Sequence, residues 1–410
     1  MNVTIIYYII TGILILDFVI DQVLDYLNYT RFDSSLPKDL EGIYDEETYK
    51  NSQVYKKTNY RFSVIHETFS LLLILLMLRF SGFGWIDNIA RNTTEHPIGI
   101  ALIFFGIIMF AGDLLNLPFS IYKTFVIEER FGFNKTSVKT FVLDKIKGWV
   151  LGAVLGGGIL SLIILFFEKT GTDFWIYAWI LITVITLFTN MFYSRWIVPI
   201  FNKQTPLEDG SLRSKIEKYS KEVGFNLEKI FVIDGSKRSS KANAYFSGFG
   251  KEKRITLYDT LIKDLDEEEI VAVLAHEVGH YKRRHIIFNI VLSVVLTGIT
   301  LYLLSLFISI PELSLALGVS TPGFHTGLIA FALLYSPISE ITGLFMNWVS
   351  RKFEYQADDY AKTTYSAAPL INALKRLSRN NLSNLTPHPA YVFMHYSHPT
   401  LLQRIRNLKA

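Results

Sequence analysis

His276-Glu277-Val278-Gly279-His280 is the segment whose residue types and spacing point most directly to chemistry. On a helix, positions i and i+4 share a face, so both imidazoles can reach one ion with Glu277 beside them. Two histidines on a divalent metal, with a glutamate able to accept a proton from water polarised there, make a site for metal-assisted hydrolysis. A tetrahedral catalytic metal needs a third protein ligand and keeps one position open. His285, five residues after His280, is one contender, but the long zinc motifs place that histidine six residues on, after a glycine-permitted turn. Glu354 is the better one. It stands in Phe353-Glu354-Tyr355-Gln356-Ala357-Asp358, where Asp358, one helical turn on, can hold the second nitrogen of a ligand histidine. Alone, Glu354 would read as a solvated carboxylate near a helix start.

The chain has no cysteine, so disulfides and thiolate ligands are excluded and any metal is held by nitrogen and oxygen. Two imidazoles and a carboxylate suit zinc best, one ion per chain. The elements that must position them are legible nearby. Asp266 offers an N-cap with Glu269 three residues on, a capping box opening a helix with Val271, Leu274, Val278 and both histidines. That helix is expected to run on into the next apolar block. Upstream, the pattern predicts an amphipathic helix over 211–223 and a strand over Lys229–Asp234. A hairpin follows, with arms Asn243–Phe249 and Ile255–Leu261 about a turn at Gly250–Lys253. Residues 349–410 read as largely helical, broken at Pro387–Pro389 and at Pro399.

The remainder is membrane-like. Half of the 410 residues are hydrophobic, and they gather in long blocks. About 20 apolar residues span a bilayer. Seven blocks qualify: 4–27, 63–80, 97–122, 148–167, 173–196, 285–309 and 325–348. The first lacks the basic start and cleavage site of a signal peptide and carries Asp17 and Asp21, so it reads as a span. If the spans alternate sides, all 41 Lys and Arg residues except Arg79, Arg91 and Lys169 fall on one face. The positive-inside rule makes that face the cytoplasm. The chain then divides into spans 1–5 (1–196), a cytoplasmic catalytic segment (197–284), spans 6–7 (285–348) and the rest of the catalytic domain (349–410). Asp17, Asp21 and Asp25 line one face of the first span, and His66, Glu67, Asp113, Asn116, Asn190, Asn289 and Glu340 sit in or near others. Ionisable groups at that depth face a cavity or a partner, which points to a water-containing interior. Gly148, Gly152 and Gly156 read as a surface for close helix packing.

Glu354–Asp358 after His276–His280 is similar to the pattern of the type I CAAX prenyl proteases, integral-membrane zinc endopeptidases with seven spans. Glu128-Glu129-Arg130-Phe131-Gly132-Phe133-Asn134-Lys135-Thr136 resembles that family's loop between its third and fourth helices. Asn243-Ala244-Tyr245-Phe246 with Lys253-Arg254-Ile255 resembles its substrate-side strand, and Ser397-His398-Pro399 with Arg404 its C-terminal motif. The resemblance implies a mainly α, polytopic membrane protein. Its helices would enclose a large chamber capped by a gluzincin-like zinc domain with a small β-sheet. Asn243 would lie beside a peptide paired to the edge strand. His398 would assist the tetrahedral intermediate, and Arg404 would support the site by a charge-assisted contact. Without the resemblance, His398 reads as a turn residue and Arg404 as a surface charge, while His388 and His395 match nothing.

The implied activity removes the C-terminal aaX tripeptide from prenylated CaaX proteins. Its partners are a peptide substrate and the lipid bilayer, with no nucleic acid. The host membrane stays open between endoplasmic reticulum and bacterial inner membrane. A quality-control peptidase with no prenyl requirement is the nearest rival. A transporter leaves the histidine motif unexplained, and an inactive scaffold has no use for Glu277.

Overall fold

The computed structural model describes residues 2–225, 229–248 and 253–410. Long apolar runs, opened by side-chain caps, give the first helices: α1 (Val3–Tyr29) capped by Asn2, and α2 (Glu46–Arg79) capped by Asp45. A short amphipathic α3 (Gly82–Thr93) leads to α4 (Pro97–Tyr122), whose last turns loosen into a π-helical stretch over Lys123–Glu128. Next come α5 (Val138–Leu151), α6 (Gly157–Thr170), α7 (Phe174–Phe192) and the short α8 (Val198–Phe201). Later in the chain α12 (His285–Phe307), α13 (Pro311–Leu315) and the 41-residue α14 (Phe324–Thr364) return to the bundle.

Among the described residues, six helical runs are long and apolar enough to cross a membrane, and at most 22% of the residues in each one's apolar window are buried within the protein. Such bare apolar surface calls for lipid around it. One run, Val138–Phe201, has 64 residues, about three times the length a bilayer needs. It folds back at Gly171, whose φ of +57° suits glycine, so that α6 and α7 pack side by side. Polar groups meet between helices: Gln22 with Glu67, His66 with Asn116 at 2.7 Å, Asp113 with Lys145 at 2.6 Å, and Asp17 with Ser336. The expected close packing at Gly148, Gly152 and Gly156 is absent. A methyl at any of them would meet nothing within 4 Å, and Gly152–Gly156 instead form a π-helical turn.

Beyond the bundle, a four-stranded sheet of β1 (Gln204–Pro206), β2 (Ile230–Ile233), β3 (Ala244–Ser247) and β4 (Arg254–Tyr258) runs in the order β1-β2-β4-β3. β2 and β4 are parallel, and β3 pairs antiparallel with β4, leaving β3 on the edge. The hairpin is therefore present. Its turn at Gly250 lies outside the described residues. Its second arm is shorter than the alternation predicts, because Asp259 opens α10 (Asp259–Asp264) with its side chain bound to Thr260 N. Against the sheet pack α9 (Ser211–Glu222), α11 (Glu267–Lys282) and α15 (Ala367–Asn380), around a core that includes Ile216, Leu257, Ile270, Leu274 and Leu370. α16 (Pro389–His395) and α17 (Leu401–Lys409) close the chain.

Candidate active site

α11 opens with the expected capping box, Asp266 N donating to Glu269 Oε2 at 3.0 Å, and carries His276, Glu277 and His280. It does not continue into the membrane. Arg284, at φ +61°, takes the left-handed conformation and breaks the chain between α11 and α12. Glu354 and Asp358 come from the far half of α14, which crosses α11 at Gly279. A Cβ on Gly279 would lie 3.1 Å from the Ala357 Cα and oxygen, so any larger residue would push the two helices apart by a few tenths of an ångström.

That approach brings three ligand groups together. His276 Nε2 is 3.2 Å from His280 Nε2 and 3.4 Å from Glu354 Oε2, and His280 Nε2 is 3.3 Å from Glu354 Oε1. The outer nitrogens fix which lone pairs face inward. His276 Nδ1 donates to Asp358 Oδ1 at 2.9 Å, so Nε2 is the nitrogen turned toward the other two groups. His280 Nδ1 lies 3.0 Å from His285 Nδ1, and His285 Nε2 donates to Gln356 Oε1 at 2.8 Å. His285 Nδ1 must then accept, so His280 Nδ1 carries the proton and its Nε2 also points inward bare. Acceptors thus converge on acceptors, and buried Glu354 Oε2 has no hydrogen-bond partner. Only positive charge resolves this. Burial and the Arg404 charge oppose protonation of His276, but Asp358 and Glu354 outweigh them and push its pKa up to about 9. The donor set of two nitrogens and a carboxylate fits a divalent metal.

Arg404 is nearly buried and grips Asp358 with two bonds, Nε to Oδ2 at 2.9 Å and Nη2 to Oδ1 at 2.6 Å. Burial works against its charge, yet the Asp358 bonds raise its pKa. His398 is exposed at the rim with Nε2 3.2 Å from Glu354 Oε1. Glu277 is half-buried and, among the described residues, makes no hydrogen bond, which leaves its carboxylate available. Asn243 is exposed at the head of the edge strand. Its side chain accepts from Ala244 N, and it makes no hydrogen bond or ion pair to His276, His280 or Glu354. His285 is not a ligand. It holds His280 from behind and stacks on Phe353 with ring centroids 4.0 Å apart. Gln356 was missed by sequence reasoning; its place two residues after Glu354 on the same helix was the only signal.

Residues 25–203 match the family model described as CAAX prenyl protease N-terminal, five membrane helices, and residues 206–410 match peptidase family M48. The chain belongs to peptidase family M48. As an M48 metallopeptidase of the membrane it is 37% identical to the CAAX prenyl protease 1 homolog of Arabidopsis thaliana, over 97% of this chain and 96% of that one. It is 36% identical to CAAX prenyl protease 1 of Saccharomyces cerevisiae, over 98% and 94%. The crystal structure of S. mikatae Ste24p matches with a TM-score of 0.94 at 35% identity, covering 99% of both chains.

Proposed function

We propose that this M48 peptidase uses zinc to remove the aaX tripeptide from prenylated CaaX proteins, with its site facing the cytoplasm. The observation that carries the peptidase chemistry is the convergence of His276 Nε2, His280 Nε2 and the buried Glu354 carboxylate within 3.4 Å of one another, with Glu277 beside them and, among the described residues, making no hydrogen bond. His276, His280 and Glu354 would hold the ion. Zinc, when bound, supplies a Lewis acid that polarises the scissile carbonyl and makes a water acidic near neutral pH. Glu277 takes the proton from the attacking water and returns it to the leaving amine. His398, on the open side, donates to the oxyanion, while Asp358 and Arg404 keep His276 in the required tautomer. A substrate strand adds to the outer edge of β3, where Asn243 meets it.

The CaaX assignment rests on the names of relatives matched over nearly their full length. Seven crossings follow if α6 and α7 count separately, and the charge asymmetry then supports the cytoplasmic side and the division at 196, 284 and 348. The polar pairs between the membrane helices support a water-filled chamber. The test uses detergent-purified protein with matched farnesylated and unprenylated CaaX peptides, with and without a chelator. Chelator-sensitive tripeptide release from the farnesylated peptide alone is expected. Equal cutting of both would move the protein to general quality control, and no cutting by zinc-loaded protein would end the peptidase reading.

A further inference from the structure

A cavity of about 810 Å³ opens between the segment after α1, the far half of α14, and helices α16 and α17. Arg31, Arg351, Lys352 and Arg406 line it, and among the described residues no carboxylate does. Arg406 is partly satisfied outside, donating to Asp39 at 3.2 Å. The other three have no acidic partner among the described residues. Arg351 Nη1 reaches the carbonyls of Val392, Phe393 and Tyr396, which fixes the guanidinium without neutralising it. Lys352 Nζ lies 3.7 Å from the centre of the Trp348 ring, again keeping its charge. Arg31 is exposed. Like charges gathered around one cavity favour an anion within it.

Depth identifies the anion. Trp348 ends the apolar run of α14, and Arg351 and Lys352 occupy the following turn. Tryptophan followed by basic residues at the end of a span marks the headgroup layer. Trp348 and Phe393 on the rim are 46% and 57% exposed, and Leu385 and Leu402 add an apolar wall beside the cations. A small soluble anion would use only the charges. A phospholipid uses both, phosphate against the cations and acyl chain along the rings. We propose that this cavity binds the headgroup of an anionic phospholipid. It lies behind the metal site: Tyr355 and Gln403 line it, whereas their neighbours Glu354 and Arg404 face each other on the opposite side.

The test reconstitutes the full chain in nanodiscs of phosphatidylcholine containing a minor share of labelled phosphatidylglycerol, then measures the label kept through detergent extraction. The wild type is expected to enrich phosphatidylglycerol. An Arg31→Gln/Lys352→Gln variant should lose about fivefold in affinity per charge removed. Arg31→Lys/Lys352→Arg should retain it, and inorganic phosphate in excess should not displace the label. Unchanged melting temperature and zinc content establish that the variants fold. Equal enrichment by wild type and the glutamine variant overturns the proposal, as does displacement by inorganic phosphate alone.

Discussion

At the residue scale, the site separates groups that hold a metal from a group that moves a proton, and the two respond differently to substitution. Glu277→Gln keeps the shape but cannot accept a proton, so hydrolysis should fall by about a hundredfold or more while zinc content, read by elemental analysis, stays at one per chain. Loss of zinc in that variant would make Glu277 a structural ligand instead. Asp358→Asn removes the carboxylate that sets the His276 tautomer and pairs Arg404. Metal affinity, measured by chelator competition, should drop by about 10- to 100-fold. His276, His280 and Glu277 were legible because a helix of 3.6 residues per turn writes their geometry into five consecutive positions. Gln356 was not, because its partner His285 lies 71 positions away and only the crossing of α11 and α14 makes them neighbours.

At the scale of elements, the crossing itself depends on Gly279, which sits inside the histidine motif but touches no ligand. Gly279→Ala sets a methyl against the Ala357 backbone, and backbone cannot turn aside. The two helices must separate, at a cost of about 1–3 kcal/mol. The melting temperature should fall and zinc should be retained less tightly, whereas a methyl at Gly152, which faces open space, should do neither. The capped start of α11 and the strand at 230–233 followed from local pattern. β1 did not, since Gln204-Thr205-Pro206 carries no strand signal and pairs only because β2 offers it an edge. The break at Arg284 was equally hidden, as nothing in Lys282-Arg283-Arg284 forbids a helix.

At the scale of the whole molecule, the membrane part and the sheet are tied by a polar joint. Lys241 Nζ donates to Glu128 Oε2 at 3.0 Å, Tyr55 donates to Glu128 Oε1 at 2.7 Å, and Lys241 also lies 4.3 Å from the centre of the Phe133 ring. Lys241 stands two residues before Asn243, so this joint sets where the edge strand begins. Glu128→Gln should raise KM several-fold with little change in kcat, because it loosens the strand and leaves the metal site alone. A fall in kcat alone would place the joint's influence on the chemistry.

The kink at Arg284 also has a mechanical meaning. α12 meets the metal-bearing helix through a bent link, while α14 runs unbroken from beyond Pro337 to Glu354, roughly 25 Å of rigid rod. When bilayer thickness changes, spans adjust by tilting. The kink lets α12 tilt without carrying His280 along, but tilting of α14 swings Glu354 directly. Acyl-chain length therefore acts on one ligand out of three. Turnover measured across bilayers of graded thickness should peak at one thickness, and zinc should be held most tightly at that same one.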